Sequence, residues 1–190
     1  MMIFLILAPY GAFAALMLLS SAAVSLFSAA ALCLTVIAYD AFAGRSIKML
    51  GAGSAIVFLA LGCYVALVDS SLSSSAVKLA VDAGMLAIAL VSLLIRRPFT
   101  LQYAREMVDA ETLELPDFRR ANYVITWAWS AAFVLMVMAN VLMLYLPGLP
   151  LWCGIVTAFA ARNSALYFTK WYPDYQRAKF ATPAASIDAV

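Results

Sequence analysis

Apolar residues in this chain do not alternate with polar ones. They run in long blocks separated by short polar turns. About 20 consecutive apolar residues, wound as a helix, cover the roughly 30 Å hydrocarbon core of a bilayer. Residues 1–43 hold a single charge, Asp40. As one helix they would reach about 65 Å, twice that thickness. They are therefore expected to split near Ser20-Ser21 into helices of about 3–20 and 23–43, with Pro9 a kink that a membrane helix tolerates. Further blocks predict helices over about 49–68, 75–95 (ending at Arg96-Arg97-Pro98), 120–146 (ending at Leu146-Pro147-Gly148) and 151–171 (ending before Pro173).

The one long polar stretch is 96–122. Within it Phe99, Tyr103 and Met107 recur every four residues, joined by Ala104 and Val108, while Thr100, Gln102, Arg105 and Glu106 are expected to face away. That pattern predicts a short amphipathic helix on the membrane surface or across the ends of the other helices. Pro98 suits its first position, and Asp117 is placed to cap the fifth long helix. The expected fold is all-α: a polytopic integral membrane protein, a six-transmembrane-helix bundle with that short helix in the 4–5 loop. Residues 1–175 form a single domain and 176–190 a C-terminal cytoplasmic tail.

Composition agrees. Of 190 residues, 66% are hydrophobic and 12% charged, against about 25% charged in soluble domains. The N-terminal block lacks a basic leader and reads as a first spanning helix rather than a signal peptide. Charge position orients the bundle. With six spans, one face holds Arg45, Lys48, Arg96, Arg97, Arg105, Arg119, Arg120, Lys170, Arg177 and Lys179, and the other only Lys78. Basic residues collect on the cytoplasmic side of bacterial inner (plasma) membranes, so both termini are expected inside. Tyr123, Trp127 and Trp129, Tyr145 with Trp152, and Trp171, Tyr172 and Tyr175 lie where interfacial anchors belong.

The net charge of +2 gives no case for nucleic acid. Histidine is absent, which removes the commonest metal ligand and general base. Cys33, Cys63 and Cys153 lie far apart in apolar blocks and read as packing residues. Without a nucleophile set, phosphate loop or carboxylate pair, the chain is expected to be no enzyme and to need no cofactor or metal.

Polar groups inside a membrane are costly and so become functional candidates. Arg162 falls in the middle of the sixth helix, where an arginine costs roughly 2.5–3.5 kcal/mol to insert, and Asn163 follows it. Asp82, one turn after Lys78, and Asn140 fall at comparable depth. Asp82, Asn140 and Arg162 are expected to meet, either as a site for a ligand, lipid headgroup or ion or as a lock between helices, the lock being favoured. Asp40 is expected at the interface, exposed. Small residues recur every four positions: Ser21, Ser25, Ala29 and Cys33; Ala80 and Gly84; Gly154 and Ala158. Such rows let helices approach closely, within the bundle by preference or between copies of a homo-oligomer.

The region 96–173 resembles the intracellular septation protein A family of Gram-negative inner-membrane-spanning proteins. It does so through Arg96-Arg97-Pro98, Leu113-Glu114-Leu115-Pro116, then Trp129, Phe133 and Ala139-Asn140 before Leu146-Pro147. Lys78 and the basic turn at Arg45 and Lys48 fit the same layout. Ser20-Ser21 replaces the family's tyrosine-rich segment, and Arg162 has no counterpart. The resemblance implies a role in cell-envelope maintenance and cell division through contact with other membrane proteins, and brings no catalytic residues. The leading expectation is thus a non-enzymatic scaffold or accessory factor in septation, docking through Phe99, Tyr103, Met107, Arg96 and Arg97. The alternatives are a small-molecule or ion transporter or channel using the Asp82, Asn140 and Arg162 cluster, and an accessory subunit of a larger membrane complex.

Overall fold

The computed structural model describes residues 2–146 and 148–181, and these are helical apart from turns, with no strand among them. Eight helices follow in order: α1 (Met2–Leu19), α2 (Ala22–Phe42), α3 (Met49–Leu67), α4 (Ser74–Leu94), α5 (Phe99–Ala104), α6 (Ala110–Glu114), α7 (Pro116–Tyr145) and α8 (Leu151–Ala181). α1 packs on α2, α2 on α3, α3 on α4, α4 on α7 and α7 on α8, while α5 lies across the ends of α3, α4 and α7. α2, α3, α4 and α7 are each long and apolar enough to cross a membrane. The described apolar part of α1, Ala8–Leu19, is shorter, and α8, with Arg162-Asn163 in its middle, is not among the spans that qualify.

The chain turns where its chemistry allows. The Ser21 hydroxyl accepts from the Val24 amide and starts α2, and Ser73 does the same for α4 through Ala76, each satisfying an orphan amide of a first turn. α2 and α4 end in matching caps. Arg45 N donates to Asp40 O around Gly44, and Arg97 N donates to Ser92 O around Arg96. Both hinge residues have positive φ, 69° at Gly44 and 56° at Arg96. Glycine adopts this conformation freely, whereas an L side chain is strained there.

Three boundaries differ from the sequence reading. α7 begins at Pro116 rather than near 120: proline takes the first helical position, where its missing N–H costs nothing, and Asp117 lies within the first turn instead of capping it. α8 runs through Pro173 to Ala181, so part of the expected tail is helix, and 182–190 lie outside the described residues. A second short helix, α6, is capped by Asp109, whose carboxylate accepts from the Thr112 amide at 2.9 Å. That bond holds the exposed Asp109 carboxyl below its ordinary pKa.

Packing follows the helical repeat. Leu26, Ala29, Ala30 and Cys33 bury one face of α2, and Val77, Val81, Met85 and Ala89 one face of α4. Phe58 is fully buried, its ring 5.3 Å from Tyr10 and 5.5 Å from Phe13. The small-residue row of α2 faces inward at Ser25, Ala29 and Cys33. α3 and α4 interlock reciprocally: a Cβ added at Gly53 would lie 2.7 Å from Ile88, and one at Gly84 2.8 Å from Val57. The outward faces are apolar, with Leu19, Phe42, Leu67 and Leu94 all largely exposed, a surface suited to lipid rather than water.

Candidate functional site

Two polar clusters lie inside the bundle. The first joins α4 and α7. Asn140 Nδ2 donates to Asp82 Oδ2 at 2.7 Å and to Met136 O at 3.0 Å, and both side chains are buried. Arg162, from α8, is within electrostatic reach of Asp82, as is Lys78 one turn earlier. Its guanidinium carbon sits 5.7 Å from the centre of the Tyr10 ring on α1, a cation–π contact. Arg162 makes no ion pair or hydrogen bond with any carboxylate among the described residues. Thus Asp82 and Asn140 are joined, while Arg162 is nearby and turned toward Tyr10. Asn163 is not part of the group: its side chain is exposed and donates back to Phe159 O at 2.8 Å, because consecutive helical positions point about 100° apart.

The second cluster closes the basic end. Lys48, only 5% exposed, lies 2.9 Å from Asp40 Oδ2 and 2.7 Å from Glu106 Oε1, with Arg45 3.7 Å from Asp40. Asp40 is buried, not exposed at the interface as its place near the end of α2 suggested, because the turn at Gly44 brings Lys48 back over it. The Glu106 contact is Coulombic, since neither of its buried oxygens has a well-aligned hydrogen bond. Burial, reinforced by the Asp40 charge, pushes the nearby Tyr103 hydroxyl well above its ordinary pKa.

α5 takes the second of its two expected placements, across the ends of other helices. Phe99 of the stripe is buried and Tyr103 partly buried, and Leu101 beside them is buried too, while Met107 lies beyond the helix end and is exposed. The side expected to face away is also tied down. Gln102 Oε1 accepts from Met49 N at 2.6 Å, replacing the missing cap of α3. Thr100 donates to Asn122 O at 2.9 Å and pairs with Thr126 at 2.7 Å. Polar residues that find partners on two other helices, α3 and α7, lose little by burial. Of the five expected docking residues, Met107, Arg96 and Arg97 remain on the surface.

A cleft of about 790 Å³ runs from Tyr10, Met85 and Arg162 to the basic end between α5, α7 and α8. Phe99, Ile125, Trp129, Phe133 and Leu166 contribute apolar wall. Arg120, Lys170, Arg177 and Lys179 line it toward the basic end, beside one acid, Asp117. Tyr10, Leu50 and Tyr103 separate it from a pocket of about 50 Å³ beside Asp40 and Lys48. The Tyr10 hydroxyl is held in that wall by donating to Met85 Sδ and sharing a hydrogen bond with the Ser54 hydroxyl. No group of three or more metal-ligating side chains occurs among the described residues.

The sequence missed the cleft and the Asp40, Lys48 and Glu106 group. Asp40 and Lys48 flank a glycine turn eight residues apart, a spacing that could have signalled their pairing. Glu106 had no such signal. Comparison with protein-family models, curated proteins and solved structures finds no match.

Proposed function

We propose that the chain crosses the membrane six times, with its basic ends in the cytoplasm, and takes a small molecule into the cleft between its helices as a carrier or binding protein. The observation that carries this reading is the cleft. Its volume lies within the range of about 300–1,000 Å³ typical of ligand sites. Its wall is mostly apolar and it opens toward the basic end, so an apolar chain would bury against it more favourably than water would. Support for six spans comes from the length of α8, about 46 Å at 1.5 Å per residue, and from the apolar character of α1.

The test is chemical. Protein purified in mild detergent is expected to carry a small molecule detectable by native mass spectrometry, and Ala121→Trp, which fills the wall of the cleft, is expected to release it. Equal content in both proteins would remove the reading. Orientation is tested separately: a Met107→Cys variant should react with an impermeant maleimide only from the cytoplasmic side.

A scaffold role in septation, implied by the family resemblance, is the second proposal: Phe99 is packed inside and Tyr103 partly so, which leaves Met107, Arg96 and Arg97 to meet a partner. It predicts that deletion alters cell length or envelope resistance under osmotic and antibiotic stress. A subunit role predicts co-purification at fixed stoichiometry.

A further inference from the structure

The cleft is asymmetric in charge as well as shape. Five basic side chains line it and one acid does. At its deep end stands Arg162, whose nearest opposing charge, Asp82, is engaged by Asn140 at 2.7 Å. A part-buried guanidinium that stacks on a ring and makes no direct ion pair attracts an anion. The walls between Arg162 and the basic end are largely aromatic and aliphatic, and their polar members Thr100, Asn122 and Thr169 already donate to backbone carbonyls. The basic residues at the far end raise the local concentration of anions that approach from that side.

We infer that the ligand is an acid-bearing hydrocarbon chain, its carboxylate or phosphate against Arg162 and its chain along Phe133, Trp129 and Leu166. This rests on the reading of the cleft as a binding site and adds the class of molecule. Two sources supply such chemistry: a free long-chain acid, and the chain and headgroup of an anionic lipid. Asp82 is the built-in competitor. It draws on the same cation when the cleft holds no anion, and the Asn140 bond keeps it back.

Trp129 gives the readout. It lines the cleft, and its indole donates to Thr169, seven residues and about 10 Å along α8 from Arg162, a distance that mid-chain groups of a bound acid would span. The other three tryptophans lie outside the lining and are exposed, so W127F/W152F/W171F leaves one reporter. In nanodiscs of zwitterionic lipid, stearate brominated at mid-chain is expected to quench Trp129 saturably. Arg162→Gln should weaken that binding at least about tenfold, Arg162→Lys should retain part of it, and Asp82→Asn should tighten it several-fold. If mid-chain-brominated phosphatidylglycerol quenches with the same Arg162 dependence and stearate does not, the acid is lipid-borne and the inference stands. If brominated stearyl alcohol quenches as well as the acid and Arg162→Gln changes nothing, the charge argument is overturned while the cleft remains a binding site. If no probe quenches saturably, the inference and the binding reading fall together.

Discussion

Both polar clusters of this bundle set carboxylate against cation, and they differ in how completely they are matched. At the basic end Lys48 faces two carboxylates, a second cation, Arg45, supports one of them, and the turn after α5 brings Glu106 onto the group. Near Arg162 one carboxylate is hydrogen-bonded to an amide, the cation is turned onto an aromatic ring, and a cleft opens beside it. A matched buried group holds helices together, since removing either partner strands a charge. An unmatched one adds little to the fold and stays free to meet something that is not yet there. Burial alone does not tell these two groups apart; on the proposed reading, completeness of pairing separates the structural one from the functional one.

That contrast can be broken at several points. Lys48→Met leaves Asp40 and Glu106 facing each other without their cation and should cost about 3–5 kcal/mol, seen as a large fall in the midpoint of denaturation in detergent. Asn140→Ala comes next, at about 1.5–3 kcal/mol for a lost bond to a charged acceptor; it should also free Asp82 to compete for Arg162 and so weaken stearate quenching. Arg162→Gln gives up a cation–π contact of about 0.5–2 kcal/mol and the attraction of Asp82, with which it forms no direct ion pair. Its thermal midpoint should therefore fall by less than that of Lys48→Met, and an equal drop would make Arg162 a structural tie and erase the distinction. The smallest effect belongs to Asp109. Its folded carboxyl titrates below the unfolded value of about 3.9, so its cap on α6 is complete above that pH and is lost as pH falls through the depressed folded value. Hydrogen exchange at the Thr112 amide should quicken in that window and not in Asp109→Asn.

How much of this was legible depended on range. Long apolar blocks fix where helices form, because backbone groups in lipid must be paired within their own segment; α2, α3 and α4 fall within a residue or so of their expected places. Local caps were partly readable, Ser21 more easily than Asp109. That the polar side of α5 would be packed as well as its stripe was not, since Thr100 and Gln102 find partners on α3 and α7, which lie distant in sequence. Asp82 and Asn140 could be paired from their depth alone. The direction of Arg162 could not, because a long side chain can reach either way along its helix and Tyr10 sits on another one. The cleft left no sequence signal, being a property of how α5, α7 and α8 splay at one end.

Gly53 against Ile88 and Gly84 against Val57 key α3 and α4 together like two halves of a dovetail joint. A larger residue at either glycine would prise that joint apart, and neither helix can slide past the other without one key striking backbone. On the proposed reading, any path into the cleft therefore lies on the side of α5, α7 and α8, away from that joint.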